Sequence, residues 1–181
     1  MDHDHENVRT MSSIALSNAL EIYPNTATET LNHLFSLYHT MNSKNIDLSK
    51  YDTSSSSSSL KGDKFEKFYN NSAQDSMMTS IKLKRSLCRV EVARALGESS
   101  ELDILEETHV MSIFEFLLDD GLVDENESVQ LQMTEAGMSM CNAYGKNMNA
   151  VLLPMFEKAL KKAEDNSDGG QKDLKLIQIS D

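Results

Sequence analysis

The feature that most constrains this chain is an apolar pattern of helical spacing that recurs in register. Shifted against itself by 121 residues, the sequence pairs Val8 with Val129, Ala15 with Ala136, Tyr23 with Tyr144, Leu31 with Leu152 and Phe35 with Phe156. Within each copy these positions fall close to multiples of the 3.6-residue helical turn, so the repeated object is an amphipathic helical unit. Such a unit cannot bury its stripe alone and folds by stacking on neighbours. With 7 Gly and 2 Pro in 181 residues, there are too few turn formers for a many-stranded β fold, and an all-α fold is expected.

The stripes place the elements. Val8, Met11, Ala15, Ala19 and Ile22 define a helix over residues 8–23 that stops before Pro24. Thr26 is an N-cap candidate for a second helix carrying Leu31, Leu34, Phe35 and Tyr38 and ending near Met41. These two predict a helical hairpin over 1–41, with residues 1–6 as a frayed acidic tail. Periodicity then collapses over 42–76, where Ser54 to Ser59 is an unbroken serine run, and a disordered insertion is expected there, with Phe65, Phe68 and Tyr69 as one turn able to dock. Helical spacing returns over 77–96, with Gly97 as a C′ residue, and again over 102–118, closing at Asp119-Asp120-Gly121. Residues 127–144 predict a fifth helix ending at Gly145, and 148–163 a sixth, which should kink at Pro154 or start close to it.

An offset of 121 equals two repeats of about 43 residues plus an insertion of about 35, which matches HEAT-type hairpins of roughly 40–47 residues. The expected architecture is therefore an all-α solenoid of about three hairpins: one over 1–41, then the second and third over 77–164. Residues 165–181 read as a flexible tail or the start of a further repeat.

The same sequence excludes several function classes. Asp2-His3-Asp4-His5-Glu6 could chelate a divalent ion, but an acidic N-terminal tail is the better reading. Asp124, Asn126, Ser128 and Glu135 match positions 1, 3, 5 and 12 of a calcium-binding loop, yet position 6 is Val129 where a sharp turn needs Gly. Capping and the helix dipole better explain acidic residues before and within that first helical turn. No nucleophile, P-loop or zinc-hydrolase motif occurs, so no catalytic, cofactor-binding or metal-ligating residue is assigned and no small-molecule substrate is expected. Cys88 and Cys141 lack a Cys-x-x-Cys partner and read as buried thiols of a reducing, cytoplasmic setting. No apolar run is long enough for a membrane span.

Charge is polarised. The net charge is −12, which opposes non-specific nucleic-acid binding. Twelve acidic and no Lys or Arg residues lie between Glu98 and Glu135, whereas Lys82, Lys84, Arg85, Arg89 and Arg94 crowd one helix. Lys82, Arg85 and Arg89 form the candidate partner-binding face, suited to ribosomal RNA or an acidic protein, and the acidic rim suits a basic tail.

Several runs carry a family resemblance. Val110-Met111-Ser112-Ile113-Phe114-Glu115-Phe116-Leu117-Leu118 is followed by Asp124-Glu125-Asn126-Glu127-Ser128-Val129-Gln130 and Met133-Thr134-Glu135-Ala136-Gly137. Further on comes Tyr144-Gly145-Lys146-Asn147-Met148-Asn149-Ala150-Val151-Leu152-Leu153-Pro154-Met155-Phe156-Glu157. With Asn7-Val8-Arg9-Thr10 and Ala15-Leu16-Ser17-Asn18-Ala19-Leu20, these resemble an interior segment of the general control translational activator family of giant HEAT-repeat proteins. The resemblance implies a ribosome-associated scaffold that senses stalled ribosomes and supports stress activation of the initiation factor two alpha kinase, working with an ABC-type ATPase. The alternative from repeat chemistry alone is a generic HEAT-repeat adaptor with no ribosome role.

Overall fold

The computed structural model describes residues 3, 5–43, 63–100 and 104–167. Among these residues there is no strand, and the architecture is an all-α, solenoid-like stack. The helices are α1 (Glu6–Ile22), α2 (Ala27–Asn42), α3 (Asp63–Ser99), α4 (Glu107–Phe116), α5 (Glu127–Met140) and α6 (Lys146–Ser167). A 3₁₀ turn, Pro24–Thr26, joins α1 to α2, and π-type turns at Leu117–Gly121 and Cys141–Gly145 extend α4 and join α5 to α6.

α3 is the centre. α1 and α2 pack on one part of its surface and α5 on another, while α4 lies against α2 and α6. Val92, Ala93 and Leu96 of α3 are fully buried, surrounded by Leu31, Leu34 and Tyr38 of α2, Ile113 and Phe114 of α4, and Val129 and Met133 of α5. Burying each large apolar side chain contributes roughly 1.5–3 kcal/mol, so this shared core dominates stability.

Several boundaries differ from the sequence-based expectation. α3 begins at Asp63, inside the stretch 42–76 expected to be a disordered insertion; the serine run lies outside the described residues. Residues 63–76 hold neither Gly nor Pro, and extending an existing helix avoids the nucleation cost that a free-standing one would meet. Gly145 does not end a helix: Glu127 to Ser167 is continuous helical backbone, with the π turn absorbing the irregularity and the run passing through Pro154. α1 and α2, expected as a hairpin, each seat on α3 and meet one another chiefly at the turn between them. Thr26 gives no side-chain cap to α2; its hydroxyl donates back to the Tyr23 carbonyl at 2.8 Å.

Gly97 is also reassigned. It lies within α3, and a Cβ there would stand 3.3 Å from the backbone Cα of Ala136. Its role is close approach of α3 and α5, for which a helix interior accepts the loss of about 1 kcal/mol relative to Ala.

The sharpest difference concerns α1. The stripe expected to be core is exposed, with Val8 43%, Met11 61% and Ile22 68% accessible. The face against α3 is instead Arg9, Ser13, Ser17 and Leu20. Ser13 Oγ donates to Glu91 Oε2 at 3.3 Å, Ser17 Oγ to the Ala95 carbonyl at 3.4 Å, and Arg94 Nη1 to Thr10 Oγ1 at 2.6 Å. Arg94 also pairs with buried Glu91 at 3.0 Å, so a hydrogen-bonded seam fixes α1 where an apolar stripe was anticipated.

The close approach at Gly97 predicts that Gly97→Leu lowers unfolding stability by about 1–3 kcal/mol through overpacking against Ala136, despite its better helix propensity. Denaturant titration of both proteins, comparing midpoints at equal slope, checks this.

Candidate functional site

The residues singled out for partner binding sit on the side of α3 that faces the C-terminal end of α2. An α-helix ends with carbonyls that have no intrahelical donor, and basic side chains can satisfy them. Arg85 Nη2 donates to the Thr40 carbonyl at 2.6 Å and Arg89 Nη1 to the Met41 carbonyl at 3.0 Å. Only Lys82 of the three is exposed; Arg85 is half-buried and Arg89 is buried. Of the candidate face Lys82, Arg85 and Arg89, two guanidiniums tie α3 to α2, because the spacing that aligned them also turned them toward a neighbouring helix end.

Arg89 continues into a buried polar cluster. Its Nη2 donates to Asp124 Oδ1 at 3.0 Å, and its Nε lies 2.8 Å from Oδ2. The Tyr38 hydroxyl stands 2.7 Å from Asp124 Oδ2 and 3.1 Å from the Asp120 carbonyl, and the Asn126 backbone N–H donates to Asp124 Oδ1 at 2.8 Å. Burial, then the bond to Asp124 and its negative charge, push the Tyr38 phenol far above its ordinary value, with Arg89 pulling the other way. The guanidinium also lies 6.0 Å from the Tyr38 ring centre. Asn126 caps α5, its side chain accepting from the N–H groups of Ser128 and Val129. The Asp124-to-Glu135 segment considered for calcium is thus engaged in helix capping and ion pairing. Asp124 and Tyr38 are closed to solvent, and the cluster ties α2, α3 and the turn before α5 together.

Facing solvent, α2 and α4 frame a shallow open groove of about 330 Å³ lined by Asn32, Phe35, His39, Glu115, Phe116 and Asp120. Its floor is aromatic: the Phe35 and Phe116 rings stack at 4.5 Å, and Tyr38 meets Phe116 edge-on at 4.9 Å. Its rim is acidic, with Asp119 held 2.8 Å from the Lys162 ammonium. An apolar floor with carboxylates around it can seat a basic, partly apolar segment. The sequence signalled the acidity between Glu98 and Glu135 but not the stacking across α2 and α4.

The remaining candidates have local duties. His109 Nδ1 accepts from the Glu106 N–H at 3.2 Å while Nε2 lies 2.8 Å from Thr28 Oγ1, closing a capping box at the start of α4. Cys88 is fully buried, and burial raises the pKa of half-buried Cys141, which makes its thiol a poor nucleophile at neutral pH. Among the described residues, no group of three His, Cys, Asp or Glu side chains is gathered to hold a metal ion, and no helix is long and apolar enough to cross a membrane.

The family model described as "Stalled ribosome sensor GCN1, HEAT repeats" matches residues 1–174. The chain belongs to that family. It is similar to the eIF-2-alpha kinase activator GCN1 of Saccharomyces cerevisiae, with 38% identity over 80 residues, 44% of this chain and 3% of that protein. It is similar also to the stalled ribosome sensor GCN1 of Homo sapiens, with 33% identity over 79 residues, again 44% of this chain and 3% of the relative. The matched region is thus a small part of each relative's length. No solved structure matches the chain.

Two predictions follow from the cluster. Asp124→Ala leaves Arg89 buried without its counter-charge and should cost about 3–5 kcal/mol, whereas Arg89→Met combined with Asp124→Leu should cost far less than the sum of the single changes; a double-mutant cycle in denaturant checks this. Because the folded-state pKa of Tyr38 is raised, its contribution is complete below the unfolded value of about 10 and is lost as pH rises beyond it. Stability measured from pH 8 upward should fall above about pH 10, and Tyr38→Phe should flatten that fall while lowering stability at neutral pH by about 1.5–3 kcal/mol.

Proposed function

We propose that this chain acts as a HEAT-repeat scaffold segment in cytosolic translational control, associating with ribosomes and supporting stress activation of the initiation factor two alpha kinase. The family match over residues 1–174 carries this reading. The names of the yeast and human relatives, a kinase activator and a stalled-ribosome sensor, suggest the two partners. An ABC-type ATPase is a further proposed partner, from the sequence resemblance alone.

The structure changes how such a segment would make contact. Arg85 and Arg89 are committed to α2 and Asp124, so a phosphate-binding stripe along α3 is not the favoured route. The net charge of −12 points the same way, since phosphates attract clustered cations. The acidic groove of Glu115, Asp119 and Asp120 over the Phe35–Phe116 pair is the better surface, and a basic protein segment is the occupant its charge fits. A rim of like charge acts mainly on encounter rate and salt dependence.

Sucrose-gradient sedimentation of the tagged chain in a eukaryotic cytosolic extract, with and without induced stalling, tests the reading. Co-migration with ribosomes at physiological salt is expected, reduced by Glu115→Lys with Asp120→Lys and little changed by Lys82→Glu. A folded chain that stays at the top of the gradient in both conditions overturns the ribosome role and favours the generic adaptor.

A further inference from the structure

The groove between α2 and α4 is shaped as well as charged. Asn32, Phe35 and His39 recur three or four residues apart on α2, as do Ser112, Phe116 and Asp120 on α4, so each helix lines it with one face. At a helical rise of about 1.5 Å per residue the cleft is roughly 11 Å long, enough for about three residues of extended chain. The Phe35 and Phe116 rings lie within 23° of parallel and make its floor, while the His39 ring stands at 85° to Phe116 with its centre 6.1 Å away. Asp120 Oδ2 is 3.8 Å from His39 Nε2, so a carboxylate sits beside the corner of floor and wall. Asp119 is paired with Lys162, both side chains more than half exposed, which leaves Glu115 and Asp120 to the groove.

The interior of the same molecule shows how a flat cation uses a ring and a carboxylate together. Arg89 lies 6.0 Å from the centre of the Tyr38 ring and grips Asp124 through Nη2 at 3.0 Å and Nε at 2.8 Å. Tyr38 in turn meets Phe116 edge-on, so two sets of ring and carboxylate are neighbours, one closed and filled by Arg89, the other open to solvent. We propose that the open set selects an arginine: a basic protein segment enters the groove with one guanidinium against the Phe35–Phe116 floor and paired with Asp120, and a second cation facing Glu115. Resting on the groove as the partner surface of the proposed function, the selection is for arginine over lysine. A guanidinium is planar, stacks on ring faces, offers paired donors to a carboxylate and is weakly hydrated. An ammonium is a strongly hydrated point charge, and the chain's own Lys162 is seated accordingly, on the exposed carboxylate of Asp119.

The test uses the full chain and two fluorescein-labelled peptides of equal charge, Gly-Ser-Arg-Leu-Arg-Ser-Gly and the same sequence with Lys for both Arg, titrated at low salt by fluorescence anisotropy. Saturable binding of both is expected, with the arginine peptide at least about threefold tighter. Glu115→Lys with Asp120→Lys should weaken the arginine peptide at least about tenfold. Phe35→Leu keeps an apolar side chain but removes the ring, and should bring the two peptides to nearly equal affinity with lysine binding little changed. Phe35 is half-buried, so His39→Leu, at a side chain 54% exposed, gives a second reading where folding is not at stake: the arginine preference should narrow. Leu131→Lys, at an exposed position of α5, should bind both peptides as the parent does. Equal affinities in the parent, or an arginine preference that survives both Phe35→Leu and His39→Leu, overturns the selection for arginine. If binding still collapses in the double charge reversal, the groove stands as a surface for any basic segment. Absence of saturable binding by either peptide overturns the groove and the selection together.

Discussion

A carboxylate removed from water must be matched by a cation and by hydrogen bonds, and Asp124 is matched by Arg89, Tyr38 and the Asn126 N–H. That requirement draws three elements to one point: the end of α2, the middle of α3 and the turn before α5. With Arg89 also donating to the Met41 carbonyl near the end of α2, one guanidinium links the end of α2 to the start of α5. The register of α5 along α3 follows, and with it the meeting of Ala136 and Gly97.

Volume then decides how close the helices come. Gly97 lets α5 approach α3, and at Gly121 a Cβ would stand 2.9 Å from Met133 Sδ, so the turn after α4 also packs tightly on α5. Methionine suits this second contact because its flexible thioether fits irregular space. The π turn at Cys141–Gly145 carries helical backbone from α5 into α6 without a break, while that at Leu117–Gly121 closes α4.

The polar joints explain why the surface left for partners is acidic. Arg85, Arg89 and Arg94 are consumed by Thr40, Asp124 and Glu91, whereas Glu115, Asp119 and Asp120 line an open groove. With those arginines engaged in joints, the Glu115 and Asp120 carboxylates are left on the groove, while Asp119 is paired with Lys162.

The sequence by itself determined the all-α class, the repeat at an offset of 121, the family and most helix interiors, because 3.6-residue periodicity and sparse Gly and Pro act locally. It also pointed to capping at the start of α5, which is settled within one turn, although the residue that caps there is Asn126. Tertiary structure decided the rest. Whether an apolar stripe faces core or solvent depends on what packs beside it, so α1 buries Ser13 and Ser17 while Val8 and Met11 stay outside. Whether an arginine is a ligand-binding cation or a joint depends on partners far along the chain: Asp124 lies 35 residues from Arg89 and 86 from Tyr38. Gly97 and Gly145 read as helix ends because glycine is a common stop signal, but in the fold the first admits a neighbouring helix and the second closes a π turn. Local rules fix conformation along one strand of chain; only the packed assembly assigns each face its neighbour.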